Sequence, residues 1–237
     1  MIKHFKEKFI KNTLIYKFYR YLKYKINFFA SYGATGEDVL LRKIFKNKIG
    51  FYVDVGALHP INGSNTYHLY KKGWKGINFD LMIDNIKLFK IFRPRDISIN
   101  VAVSSKPGFV NSYIFDKGSG LNTLEKNWAE KWKKIINKNY LTIKIKKEKL
   151  NTLLKKYNCP NNFDLLNIDV EGHEIEVIKG LDFRIYKPKI ITIEIHAKKN
   201  EDIFKSNVYK FLKKKNYELI SQYYQTSFFK IKDFNPL

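Results

Sequence analysis

Apolar residues fall at helical spacing from the start of the chain: Phe5, Phe9, Ile10, Leu14, Phe18, Leu22, Ile26 and Phe29, with lysines between them and no Gly or Pro before residue 31. That spacing predicts one or two amphipathic helices with a strongly basic face over residues 1–30. From residue 36 the pattern changes. GEDVLLRKIF predicts a helix and FYVDVGA a buried strand. SNTYHLYKKG predicts a helix with Ser64 as its cap and Gly73 as its stop. GINFD is a strand, DNIKLFKIF a helix ended before Pro94, and DISINVAVS a third strand. Later, FDLLNIDV, HEIEVIKGL and KIITIEIH read strand, helix, strand. Strands alternating with helices predict a parallel α/β sheet covered on both faces.

Between Val103 and Phe163 the alternation weakens. FVNSYIF and LTIKIKK read as extra strands, NTLLKKYN as a helix, and KGSGLNTLEKNWAEKWKKI as a flexible start leading into a helix with two tryptophans. This insertion, about 104–162, is a candidate substrate lid. The end, VYKFLKKKNYELISQYYQTSFFKI, predicts helix, strand, turn, strand, so an antiparallel pair closes the sheet. Two segments result: a basic amphipathic stretch, 1–30, and one domain, 31–237.

Charge adds one constraint. Lys+Arg number 45 against 22 Asp+Glu, a formal net charge of +23, alongside 19 Phe and 16 Tyr. A solvated lysine surface accounts for this, and so does attraction to an anionic partner. The lone Cys159 excludes an intrachain disulfide and a cysteine zinc cluster, and fits a reducing cytoplasm. No apolar run reaches the roughly 18 residues of a spanning helix, and no signal peptide is expected. Residues 1–30 have the composition of a segment lying on the inner face of a membrane, but a helix packed on the domain explains their apolar stripe somewhat better.

In an open parallel sheet, ligands bind beyond the carboxyl ends of the strands, near the reversal of strand order. Asp54 and Gly56 close the first strand. GALHPING lacks the GxGxxG dinucleotide fingerprint, and a capped turn would also explain it. Asp80 ends the second strand, where an acidic residue can accept both ribose hydroxyls or cap the next helix. NVAVS ends the third with small residues that leave room for a flat base or simply pack. NIDVEGHE is the densest constellation: Asp169, Glu171, His173 and Glu174 crowd one strand end, and Glu194 with His196 ends the neighbouring strand. Carboxylates at a helix start satisfy its dipole, but this number with two histidines suits general-base chemistry or a divalent cation. Asp169, Glu171 and Glu194 are the residues that could hold such a cation, which nothing in the spacing requires.

VDVGALHPINGSNTYHLYKKGWKGINFD, RPRDISINVAVS and LLNIDVEGHEIEVIKGL together resemble the FkbM-type methyltransferases, and SYGATGEDVLL resembles their N-terminal GED segment. The resemblance covers roughly residues 31–196. It implies a Rossmann-like, class I methyltransferase fold with S-adenosylmethionine as cofactor. It implies a cofactor site of Glu37, Asp54, Gly56, Ala57, Asn65, Asp80, Asn100, Val101, Ala102 and Asp169. Asp54 would sit at the methionine end, Gly56 would make space, Asp80 would hold the ribose, and residues 100–102 would lie near the adenine. The base candidates are Asp169, His173 and His196.

The expected reaction is methyl transfer to a hydroxyl, which must first lose its proton. The resemblance implies a small-molecule, glycan or glycolipid acceptor. The competing class is an RNA-binding or RNA-modifying protein, drawn from the charge and aromatic content. Scarce arginine, and the absence of the Asn-Pro-Pro-Tyr-like run that grips exocyclic amines, weigh against it. Oligomeric state is not encoded in any motif.

Overall fold

The computed structural model describes residues 31–197 and 199–235. The reading of residues 1–30 therefore lies outside the described residues. Helix α1 is Glu37–Phe45, strand β1 Phe51–Val55, α2 Tyr67–Lys71, β2 Lys75–Asp80, α3 Ile83–Phe92 and β3 Ile97–Asn100. Then come β4 Ala102–Ser104, β5 Gly108–Ile114, α4 Lys126–Ile136, β6 Leu141–Lys149 and α5 Leu150–Lys156. The chain closes with β7 Leu165–Ile168, α6 Glu174–Lys179, β8 Ile190–Glu194, α7 Asn200–Ile203, α8 Asn207–Lys214, β9 Tyr217–Tyr223 and β10 Thr226–Ile231.

The main sheet has the order β3-β2-β1-β7-β8-β10-β9. The first five of these run parallel, and β10 pairs antiparallel with both β8 and β9. The chain builds outward from β1 through β2 to β3, then returns to lay β7 on the other side of β1. The reversal lies between β1 and β7, where such sheets bind ligands.

Side chains alternate across the sheet, which separates two cores. Val53, Val55, Ile77, Phe79, Leu166 and Ile168 pack on one face with Val177 and Ile178 of α6 and Leu153 and Leu154 of α5. Tyr52, Leu165 and Ile190 pack on the other with Leu41 and Phe45 of α1, Leu69 of α2 and Trp74.

DISINVAVS departs from the expected single strand. The amide of Val101 donates to the Asp80 carbonyl at 3.1 Å, and the chain leaves the main sheet there. Strand β4 pairs instead with β6 in a separate three-stranded sheet, β4-β6-β5. The insertion thus has its own sheet, into which the end of the third strand is recruited. Thr66, not Ser64, is the cap position of α2, but Ser64 Oγ accepts from the Tyr67 amide at 3.2 Å, so it still serves the helix start. Among the described residues no helix is long and apolar enough to cross a membrane.

Candidate active site

A cleft of about 270 Å³ opens at the carboxyl ends of β1, β2 and β7. Its size is near the lower end of the roughly 300–1,000 Å³ of small-molecule sites. Glu37, Asp54, Gly56, Ala57, Asn65, Asp80, Val101, Asp169, His173, Glu171 and Glu194 all line it. Two residues expected near the adenine do not. The Asn100 amide turns to donate to the carbonyls of Asp80 at 3.0 Å and Leu81 at 2.7 Å. Ala102 is buried on the opposite side, because alternation gives the cleft Val101 and Val103.

Asp54 belongs to a polar row that crosses the sheet. It lies beside Asn78 on β2 and Asn167 on β7, Asn78 lies beside Ser98, and Asn167 lies beside Thr192. Asn167 Nδ2 donates to Asp54 Oδ1 at 2.8 Å, and Thr66 Oγ1 donates to Oδ2 at 2.6 Å. Thr192 Oγ1 donates to Asn167 Oδ1 at 2.6 Å. Behind Thr66 stands Arg93, fully buried, whose Nη1 donates to Thr66 Oγ1 at 2.8 Å and whose Nε donates to the Pro60 carbonyl at 2.7 Å. Burial raises the Asp54 pKa, opposed by Thr66, Asn167 and the Arg93 charge. Side-chain donors and a buried guanidinium therefore hold this carboxylate within the sheet. Nothing in the sequence distinguishes Arg93 from a surface arginine.

Gly56 has φ 82°, and a Cβ there would stand 1.7 Å from the Asp169 carbonyl oxygen. The approach of β7's exit to β1's exit by itself requires the glycine, which also lines the cleft. The amides of Gly56 and Ala57 both donate to the Phe79 carbonyl, at 2.9 and 3.1 Å.

Asp80 gathers three donors: Leu58 N at 2.8 Å, Met82 N at 2.8 Å and Asn85 Nδ2 at 2.9 Å. Its carboxylate braces the loops after β1 and β2, and its four lone-pair directions leave room for a further donor from the cleft. Burial pushes its pKa up to about 6, with the three donors opposing.

At the other end of the cleft, His173 has both ring nitrogens engaged: Nδ1 lies 2.6 Å from Glu125 Oε1 and Nε2 3.0 Å from Ser104 Oγ. Through these two contacts His173 ties the insertion to β7's exit, and neither ring nitrogen is left without a partner. Glu174 Oε1 accepts from the Gly172 amide at 3.0 Å and closes the turn. Glu171 adopts φ 54°, and Trp128 Nε1 donates to its Oε2 at 2.9 Å. His196 Nε2 lies 3.1 Å from Glu194 Oε2, at ion-pair distance but without hydrogen-bond alignment. Its ring rests on Trp128, with centroids 4.3 Å apart.

Burial, then the charge of Glu194, raises the Asp169 pKa well above the carboxylate range, although the residue keeps some access to solvent through the cleft. Burial, then Glu194, pushes Glu171 up to about 7. For His196, burial lowers and the Glu194 interaction raises, and the net shift is upward. Glu171, Glu194 and His196 bring one ligand atom each within 4.8 Å of one another. Asp169, expected in a cation site, is not of this group, and His196 takes its place. Trp128, Glu125 and Ser104 were not singled out from the sequence as site residues. The paired tryptophans of the insertion were the only signal.

The profile of the Methyltransferase FkbM domain matches residues 54–219. The chain belongs to that family. Its members are methyltransferases, and S-adenosylmethionine is the methyl donor this membership implies. The match begins after the GED segment and runs through the insertion to β9, further than the resemblance read from the sequence. The sheet, with its antiparallel final pair, has the class I methyltransferase architecture. Among solved structures, an O-methyltransferase from Bacillus cereus in complex with SAH is 13% identical over 94% of each chain, with a TM-score of 0.41. No curated protein matches the chain.

Proposed function

We propose that this methyltransferase transfers the methyl group of S-adenosylmethionine to a hydroxyl of a sugar, in a surface glycan or glycolipid made at the inner face of the membrane. The observation that carries the reading is the polarity of the cleft. Asp80 stands at one end as an acceptor for a ribose diol. Asp169, Glu171 and Glu194 crowd the other end, with His196 3.1 Å from Glu194, where a leaving methyl group and an arriving hydroxyl would meet.

In such a transfer the S–CH3 bond breaks with its electron pair retained by sulfur, and the O–CH3 bond forms as the hydroxyl proton leaves. The carboxylate-rich end favours the positive sulfonium and receives the proton. Alignment in a closed cleft supplies much of the remaining acceleration, since effective molarities in aligned systems are worth roughly 7–11 kcal/mol. A base cluster of this kind suits a hydroxyl acceptor, because an amine needs less help to become nucleophilic. The lysine-rich residues 1–30 support a lipid-linked acceptor at an anionic surface.

The test supplies isotopically labelled S-adenosylmethionine to the full chain with lipid-linked oligosaccharide, free oligosaccharide and total RNA in parallel. Label in the lipid-linked glycan supports the reading. Label in RNA alone, or in no glycan, contradicts it.

A further inference from the structure

We infer that Glu171, Glu194 and His196 form a binding site for one divalent transition-metal ion at the acceptor end of the cleft. Three observations lead there. First, the donor atoms converge, and Glu194 Oε2 and His196 Nε2 are already 3.1 Å apart. An octahedral ion with ligands at about 2.1 Å holds adjacent donors about 3 Å apart, so this pair has the spacing of neighbouring ligands. Second, these same two atoms are shut off from solvent and have no hydrogen-bond partner. Buried polar atoms without an aligned partner are costly, and a cation seated between these two would satisfy both. Third, the charge is locally inverted. In a chain of net charge +23, Asp169, Glu171, Glu174 and Glu194 interact here, and no lysine or arginine among the described residues forms an ion pair with any of them.

The donor set selects the ion class. One imidazole with two carboxylates suits Mn²⁺ or Zn²⁺ better than Mg²⁺ or Ca²⁺, which prefer oxygen alone. The supporting shell is built. Trp128 fixes Glu171 through its indole N–H and backs the His196 ring, and Thr123 Oγ1 donates to the Glu171 carbonyl at 2.7 Å. Outer contacts of this kind orient metal ligands. Glu171 and Glu194 line the cleft, so an ion there is open to an acceptor.

The ion's role rests on the proposed methyl transfer, whereas its binding does not. Held by these residues, an ion would act as a Lewis acid on the acceptor hydroxyl and ease the loss of its proton to the carboxylates of the cleft, while the O–CH3 bond forms and the S–CH3 pair stays on sulfur.

Binding is tested without cofactor or acceptor, so its outcome is separate from that of the methyl-transfer reading. Chelator-stripped full chain is titrated with Mn²⁺ and the free-ion signal is followed by electron paramagnetic resonance. The expected result is uptake of one equivalent, weakened at least tenfold in Glu194→Gln and in His196→Ala, and unchanged in the surface control Asp84→Asn. Pulsed resonance of the wild-type complex, which needs no variant to fold, should show coupling to an imidazole nitrogen. No uptake by the wild type, equal uptake by folded variants, or no imidazole coupling would each overturn the site.

Discussion

The carbonyl oxygen of Asp169 occupies the space that a Cβ on Gly56 would need, only 1.7 Å away. The two residues leave adjacent parallel strands at the point where the sheet reverses its order, and their contact sets the floor of the cleft. Gly56→Ala adds a clash with backbone and a left-handed conformation that Ala adopts at a cost. The expected loss is about 3 kcal/mol or more, a fall in melting temperature of about 6–12 °C for a domain of this size. Differential scanning calorimetry measures it. A melting temperature within about 2 °C of wild type would mean that the two strand exits are not so closely joined.

Arg93 should be a structural rather than a catalytic residue. It is fully buried and ties Pro60, Ser64 and Thr66 to the end of α3. Its Nη1 is 3.9 Å from the buried Asp96 carboxylate. Arg93→Met removes the guanidinium beside that carboxylate, which keeps its hydrogen bonds from Tyr52, Gly76 and Asn78, so the cost is about 3 kcal/mol, the low end for breaking a buried pair. Urea denaturation should show the loss. Unchanged stability would contradict the role given to it.

Asp80 gives the cleft a pH dependence that can be isolated with adenosine, which carries a ribose and a base but no methionine. Burial sets its pKa at about 6 in the folded protein. The ribose hydroxyls donate to the ionised carboxylate, so adenosine affinity should rise about tenfold between pH 5 and 7 as that form fills. The same raised pKa acts oppositely on folding: its contribution to stability is full below the unfolded value near 4 and is lost as pH rises through 6. Asp80→Asn should flatten the adenosine profile. A profile equally steep in the variant would remove Asp80 from the ribose.

Much of this was legible in the chain, and the remainder follows a physical pattern. Buried parallel strands announce themselves as apolar runs between helical periods, so β1, β2, β7 and β8 and the final antiparallel pair could be read directly. The split of DISINVAVS could not, because continuous β residues carry no mark of changing sheets. The ends of β1, β2 and β7 indicated Asp54, Asp80 and Asp169, since strand exits are where such sheets place ligands. The partners of those residues come from tertiary register. Yet one signal stood in plain view: VDV, INF, LNI and ITI each carry one polar residue inside an apolar strand. Those four residues, Asp54, Asn78, Asn167 and Thr192, align in the folded sheet as a single row. His173 and His196 looked alike in sequence, and only their neighbours separate them: one has both nitrogens engaged, the other one nitrogen without a hydrogen bond.

Residues 1–30 should confer membrane association by charge and apolar surface together. Basic residues contribute roughly 1 kcal/mol each near an anionic surface. The full chain should float with anionic vesicles and be released by high salt, and a chain starting at residue 31 should stay unbound and soluble. Flotation of the truncated chain, or none of the full chain, would contradict the assignment.

The account turns on the cleft between β1 and β7 being the cofactor site. Isothermal titration of the full chain with S-adenosylhomocysteine tests this most directly. The expected result is one site of micromolar affinity, about 7–8 kcal/mol, weakened roughly tenfold or more in an Asp80→Asn variant that melts cooperatively. No heat at millimolar ligand, or an affinity indifferent to Asp80, would contradict it.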